Sequence, residues 1–345
     1  MHRVLIFGAS GYTGLELVHW LLWHPEVRLV AASSDRWAGR PVCAQVPAVD
    51  PSLLFTSHDE VLAQVSAGDV AFLATPAETS LALAPRLLDR GARVIDLSGA
   101  FRLAAAEAYP QWYGFTHSAA PLLAEAYYGL PELSPLSGRP RLIANPGCYA
   151  TAAALAAAPL VARDLVLKDA PLIVDGKSGT TGAGRKADEA LSFSEVDETV
   201  RPYRLTRHQH TPEMEQTLSR LAGRDVLVSF APHLVPLRRG LIVAVYAPAR
   251  PGVTQREVDA AFDELYRAAP FVRVLTDRPP EPGPVARTNL CDVGAWFDPH
   301  SRSILAFAAL DNLVKGAAGQ AIQNLNLMLG LAPTTGLFPR AGGHP

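Results

Sequence analysis

Two short stretches of the chain carry side chains that could do chemistry as a pair. In "NPGCYATAAALAAAP" (145–159), Cys148 follows Asn145-Pro146-Gly147 and heads an alanine-rich run. The preceding "PRLIA" reads as a buried strand and the run itself as a helix, so the thiol falls where a strand hands over to a helix. The positive end of the helix dipole favours a nucleophilic thiolate there, whereas a thiol buried mid-helix is inert. In "RLTRHQHTPEMEQ" (204–216), His208 and His210 stand two apart, and Thr211-Pro212-Glu213 has the N-cap and first-turn pattern of a helix. Extended backbone would turn both imidazoles to one side. Three readings follow: metal ligands, for which no third residue has recognisable spacing; surface histidines; or the acid/base partner of a thiol, since imidazole titrates near neutrality.

Between these stretches lies "DGKSGTTGAGRKADEA" (175–190), rich in glycine and hydroxyls and holding two of only four lysines in a chain with 27 arginines. Such a segment can present N–H groups and cations to an anionic substrate, or serve as a plain surface loop. Elsewhere the composition excludes more than it selects. With 345 residues the chain has room for two domains. A net charge of −2, with both signs interspersed, gives no nucleic-acid footprint. Three cysteines (Cys43, Cys148, Cys291), far apart and without CxxC spacing, form neither a disulfide framework nor a zinc knuckle, and fit a reducing cytoplasm. The start "MHRVLIFGASG" has no signal-peptide pattern and no run of 18 apolar residues occurs, so neither secretion nor a membrane is expected.

The elements that must position these residues alternate at first. "RVLIF" (3–7), "VRLVAASS" (27–34), "DVAFLAT" (69–75) and "ARVIDLS" (92–98) read as strands, with helices at "LELVHWLLW" and "TSLALAPRLLDRG" (79–91) between them. This predicts a Rossmann-type doubly wound parallel sheet. After Cys148 strands dominate ("PLIVDGKSG", "DVLVSFAPH", "RGLIVAVYAPA", "FVRVLT", "SRSILAFAAL"), with one helix at 254–269. An α+β domain with a mixed, largely antiparallel sheet follows. The helix at 315–331 is placed back on the first domain, which gives domains of 1–147 with 315–345, and 148–314. "DRPPEPGPVA" (277–286) reads as an exposed loop.

Gly8, Gly11 and Gly14 sit in a strand-to-helix turn where missing side chains let N–H groups approach a pyrophosphate. At the end of the second strand an NAD site wants a carboxylate for the ribose 2′-hydroxyl. This chain has Ser33 and Ser34, then Asp35 and Arg36. Two hydroxyls and a guanidinium suit a 2′-phosphate, which reads as NADP(H), with Asp35 the discordant residue.

Together these motifs resemble the N-acetyl-gamma-glutamyl-phosphate reductase family of arginine biosynthesis, over nearly the whole chain. "GASGYTG" (8–14) is similar to its nucleotide turn, "DLSGAFRL" (96–103) to its DLSADFRL segment, and "YGLPEL" (128–133) to its loop before the nucleophile. "NPGCYAT", "KSGTTGAGRKA", "HQHTPE" and "LDNLVKGAAGQAIQNLN" (310–326) resemble its cysteine, substrate-loop, histidine and C-terminal motifs. The resemblance implies reduction of an acyl phosphate to a semialdehyde through a thioester on Cys148, with His210 moving the proton and His208 and Glu213 orienting it. It implies cofactor contacts from Gly8, Ser10, Gly11, Tyr12, Thr13, Gly14, Ser33, Ser34, Arg36, Asn312 and Lys315. Arg102, Asn145, Ser178, Gly179, Arg185 and Lys186 would hold the substrate, with no metal, in a cytoplasmic homo-oligomer (dimer or tetramer). Ala100 replaces the usual Asp, Gln209 a common Arg, and "ATPAETS" (74–80) a PHG-like turn. Rivals are the lysine-pathway reductase of a carrier-bound aminoadipyl phosphate, aspartate-semialdehyde dehydrogenase, and a non-catalytic NADP-binding module.

Overall fold

A computed structural model describes residues 1–185 and 188–338; Lys186 lies outside the described residues. The chain divides into two units, Met1–Pro146 with Ala317–Pro345, and Gly147–Gly316, so Gly147, Lys315 and Gly316 group with the second.

The first unit is built on β1 (His2–Phe7), β2 (Val27–Ser33), β3 (Phe55–Thr56), β4 (Val70–Leu73), β5 (Arg93–Asp96), β6 (Tyr127–Tyr128) and β7 (Leu142–Ala144). They form one sheet in the order β3-β2-β1-β4-β5-β7-β6, with every neighbouring pair parallel. Parallel neighbours need crossovers rather than hairpins. Those crossovers are α1 (Tyr12–Leu22), α2 (His58–Ala63) and α3 (Ala77–Asp89); α4 (Tyr109–Trp112) and α5 (Ala120–Glu125) follow β5. Val4 to Phe7 and Val70 to Leu73 are fully buried, the continuous apolar run required of strands covered on both faces. Strand order reverses beside β1, which makes its C-terminal end, where Gly8 stands, the switch point at which such sheets bind ligands.

In the second unit, β8 (Leu172–Ser178), β9 (Arg201–Pro202), β10 (Val228–Leu234), β11 (Leu241–Pro248), β12 (Val272–Val274), β13 (Cys291–Asp298) and β14 (Ser303–Leu310) run in the order β12-β13-β14-β11-β8-β10-β9. Four of the pairings are antiparallel; β12 with β13 and β8 with β10 are parallel. The helices are α6 (Cys148–Ala162), α7 (Phe193–Val196), α8 (Thr211–Ala222), α9 (Gln255–Tyr266) and α10 (Pro282–Val285). A π-helical turn, Val314–Ala318, then leads into α11 (Gly319–Leu329).

The core of this unit is α6. Every residue from Tyr149 to Val161 is buried, and the helix packs on β11, β13, β14, α8 and α9. A helix apolar all round belongs inside a core, and alanine side chains let the surrounding elements come close. Pro159 lacks an N–H for the Leu155 carbonyl four residues back; the Tyr266 hydroxyl donates to that carbonyl instead, at 2.6 Å.

Three local features differ from the sequence expectation. Strand β13 joins the sheet although "CDVGAWFD" mixes a buried Asp and a Gly into its apolar pattern. The proline-rich 277–286 stretch contains α10, with Val285 fully buried. The C-terminal helix opens with a π-turn, a form that recurs at functional sites.

Candidate active site

The strand-to-helix corner places the thiol as the sequence predicts. Gly147 is the N-cap of α6 and Cys148 its first residue, half-buried and not in a disulfide. Two side chains from the start of α8 close on this corner. The fully buried Glu213 accepts a hydrogen bond from the Gly147 N–H through Oε2 at 3.0 Å. Its other oxygen, Oε1, faces Nε2 of His210 at 3.8 Å. The His210 ring lies directly on Gly147: a Cβ added there would come within 2.5 Å of Cδ2 and 2.6 Å of Cε1. Gly147 is thus a glycine for room rather than for a left-handed backbone, its φ being −73°.

The π-turn brings Gly316 against Cys148, where an added Cβ would stand 2.7 Å from Cys148 Cβ. Asp311, fully buried, organises that turn by accepting from the backbone N–H groups of Leu313 and Val314.

The histidine pair departs from its expected geometry in two respects. The 204–210 segment is a chain of turns rather than extended, and the N-cap of α8 is His210, with Thr211, Pro212 and Glu213 as its first three residues. The turn still brings the rings together, with centroids 4.7 Å apart, because the His210 N–H donates to Nδ1 of His208 at 3.1 Å. That bond puts the His208 proton on Nε2. His208 is 3% exposed and walled by Tyr149, Tyr203 and Phe230. Burial, then the neighbouring His210 and Arg204, pushes its pKa down to about 2. His208 is therefore held neutral.

A pH consequence follows. Below 6.5, the ordinary histidine value, the unfolded chain binds a proton at His208 that the folded protein refuses. Stability then falls as pH drops below that value, by up to about 1.4 kcal/mol per pH unit for this group. His208→Asn, whose amide oxygen can replace Nδ1 as acceptor, is expected to narrow the gap between urea midpoints at pH 7.5 and pH 5. An unchanged gap would overturn the neutral assignment.

Cys148, His208 and His210 line one cleft of 650 Å³ within the second unit, together with Ser178 and Gly179. Tyr149, Arg201, Tyr203 and Arg204 also line it, and sequence reasoning missed all four. Adjacency to the two motifs was the available signal. Burial, then the neighbouring Cys148, pushes the Tyr203 hydroxyl up to about 12, so it stays protonated in this cleft. Arg185 is half-buried and is not among the lining residues. Asn312 accepts from the Gly240 N–H and donates to Thr181 Oγ1, and Lys315 is fully buried near the Phe271 ring. Arg102 and Asn145 belong to the first unit. The Arg102 guanidinium donates to the Asn145 and Leu97 carbonyls, both at 2.8 Å, and Asn145 pairs with Asn324 and the Ala317 carbonyl. Among the described residues no group of three or more His, Cys, Asp or Glu side chains is arranged to hold a metal ion.

The residues of the nucleotide turn fit a dinucleotide. Gly8 has φ +80°, and an added Cβ would meet the Ala74 carbonyl at 2.5 Å. Gly11 is the N-cap of α1 and brings no capping side chain, so Tyr12, Thr13 and Gly14 offer first-turn N–H groups to a phosphate. The two serines need correction. Ser33 is fully buried, its hydroxyl accepting from the Gly8 N–H and pairing with Nδ1 of His58 at 2.6 Å; Ser34 is 3% exposed, bonded to Ser10 and capping Trp37. Both hydroxyls brace the turn from inside, which leaves Arg36 as the exposed cation.

Comparison with known proteins agrees with this division. Residues 3–137 match the semialdehyde dehydrogenase NAD binding domain and residues 148–312 the semialdehyde dehydrogenase dimerisation domain. Aspartate semialdehyde dehydrogenase II from Vibrio cholerae has the same fold, with a TM-score of 0.72 at 18% identity over 96% of this chain and 98% of that one. Relatives named N-acetyl-gamma-glutamyl-phosphate reductase are much nearer in sequence. The protein of Symbiobacterium thermophilum is 45% identical and that of Thermus thermophilus 46% identical, each over 99% of both chains. With identity at this level across its full length, and with the thiol, imidazole and glutamate meeting at one helix start, the chain belongs to the N-acetyl-gamma-glutamyl-phosphate reductase family.

Proposed function

We propose that the chain reduces N-acetyl-L-glutamyl 5-phosphate to N-acetyl-L-glutamate 5-semialdehyde with NADPH, releasing phosphate. The observation that carries this reading is the Cys148 corner, clamped by Glu213 and covered by His210. His210 takes the Cys148 proton, and the thiolate attacks the acyl carbon. A C–S bond forms, the C–O bond to phosphorus breaks, and His210 passes the proton to the departing phosphate. Bound NADPH supplies the hydride that reduces the resulting thioester. Collapse of the thiohemiacetal oxyanion then breaks the C–S bond, frees the aldehyde and returns Cys148 as thiolate, and the Cys148–His210 pair regains its proton from solvent before the next turnover. Glu213 holds the corner and the imidazole together throughout.

Cleft residues Ser178 and Gly179, with Arg201 and Arg204, face the substrate's anionic groups, and Arg102, Asn145 and Arg185 remain substrate candidates. Asn312 and Lys315 are proposed at the nicotinamide end, the glycine turn at the pyrophosphate and Arg36 at the 2′-phosphate. The exposed face of the second sheet, where Ile173 of β8 pairs with Tyr246 of β11, suits a dimer or tetramer of this chain. Among the described residues no helix is long and apolar enough to cross a membrane, and three cysteines outside any disulfide fit a reducing cytoplasm.

The test is the reverse reaction. Aldehyde, phosphate and NADP⁺ should give phosphate-dependent NADPH with N-acetylglutamate semialdehyde and little with aspartate semialdehyde. Faster turnover of the aspartate compound would reassign the substrate, and no turnover with either would leave a binding module.

A further inference from the structure

We propose that His58 sets cofactor choice by orienting Asp35, an inference that rests on the NADP(H) reading above. At the end of the second strand of a dinucleotide fold, a carboxylate selects NAD by accepting the ribose 2′-hydroxyl, and repels a 2′-phosphate. Asp35 stands there, next to the cationic Arg36. The structure resolves this conflict through a residue from a different element. His58 opens α2, and its backbone N–H donates to Asp35 Oδ1 at 3.2 Å while its ring Nε2 lies 3.8 Å from Oδ2. Oδ1 is thereby bound by the His58 backbone and Oδ2 faces its ring, in a side chain that stays 67% exposed.

The imidazole is itself fixed. Nδ1 pairs with the Ser33 hydroxyl at 2.6 Å, and that hydroxyl accepts the Gly8 N–H at 3.2 Å. Since Ser33 Oγ already accepts from Gly8, its proton is available for Nδ1, which leaves the ring proton on Nε2 toward Asp35. Hydrogen bonds thus run from the glycine turn through Ser33 to the His58 ring, whose Nε2 faces Asp35 Oδ2 at 3.8 Å, while the His58 backbone N–H binds Oδ1. The ring is one-fifth exposed, so these contacts reach the surface where the adenosine end would lie. His58 is a positioning residue: it holds the Asp35 carboxylate oriented toward α2 and leaves the Arg36 cation dominant.

The experiment measures dissociation constants for adenosine 2′,5′-bisphosphate and 5′-AMP, and for NADPH and NADH, by calorimetry and fluorescence on the full chain. Wild type should favour the 2′-phosphorylated member of each pair. His58→Ala, which keeps the backbone N–H on Oδ1 but removes the ring from Oδ2, should weaken its binding by about threefold to tenfold, the scale of one polar contact to a charged group, without weakening 5′-AMP or NADH. Asp35→Asn added to His58→Ala should restore the preference, which a merely structural defect would not allow. Should His58→Ala fail to fold, His58→Gln is read in the same way, because it keeps a polar contact to Ser33 without the imidazole. A wild type that prefers the 2′-phosphate together with an unaffected His58→Ala overturns the role of His58 alone. A His58→Ala defect that Asp35→Asn does not repair overturns it also. A wild type without any preference overturns the NADP(H) reading and this inference with it.

Discussion

Cys148→Ala is expected to lower turnover by about 10⁴-fold or more, as removal of a nucleophile does, in a protein that remains folded. The thiol is only half-buried and its position is the first residue of α6, where alanine is well tolerated. What is lost, on the proposed mechanism, is the atom that forms the bond. The sharper measurement omits the cofactor. Wild-type protein mixed with acetylglutamyl phosphate should release one equivalent of phosphate per site in a burst, because thioester formation precedes the reduction; Cys148→Ala should show no burst. Alanine at Cys43 should leave both readouts intact. Cys291→Ala should cost stability, since that side chain is fully buried in β13, but should spare the chemistry. A normal burst from Cys148→Ala would remove the thiol from the mechanism.

His210→Asn is expected to reduce kcat by about 10²- to 10⁴-fold, the usual worth of a positioned proton carrier, with NADPH affinity little changed. Gly147→Ala tests the same assignment from the other side. Its methyl would occupy the space of the His210 ring and push the imidazole off the corner while leaving both reactive groups in the chain. It should therefore resemble His210→Asn in rate, and the double variant should be scarcely slower than either single one, because both remove the same function. His208→Asn should cost less, since that neutral ring acts through its bond to the His210 N–H. Additive losses for Gly147→Ala and His210→Asn would separate the two residues and return the acid/base role to another cleft residue, with Tyr203 first in line.

Much of this was legible before any coordinates. Apolar strand runs alternating with helices determined a parallel doubly wound sheet, because strands covered on both faces have no polar positions to spare. The thiol at the start of a helix, the glycines of the nucleotide turn and the Thr-Pro-Glu helix start were likewise legible, since each depends on a few consecutive residues. Contacts between residues far apart in the chain left no such trace. Ser33 and Ser34 look like phosphate ligands in sequence, yet folding turns them inward to Gly8, His58 and Ser10, because the buried N–H and imidazole there need partners. The pairing of His58 with Asp35 spans 23 residues and two elements. Gly147 reads as a turn glycine until the His210 ring is seen resting on it, and Gly316 as a small helix residue until Cys148 is seen against it. Sequence alone determined which chemical groups the chain has and which element carries each. The tertiary structure decided which of them meet, because close packing and the pairing of buried polar groups are settled between elements, where no local pattern records them.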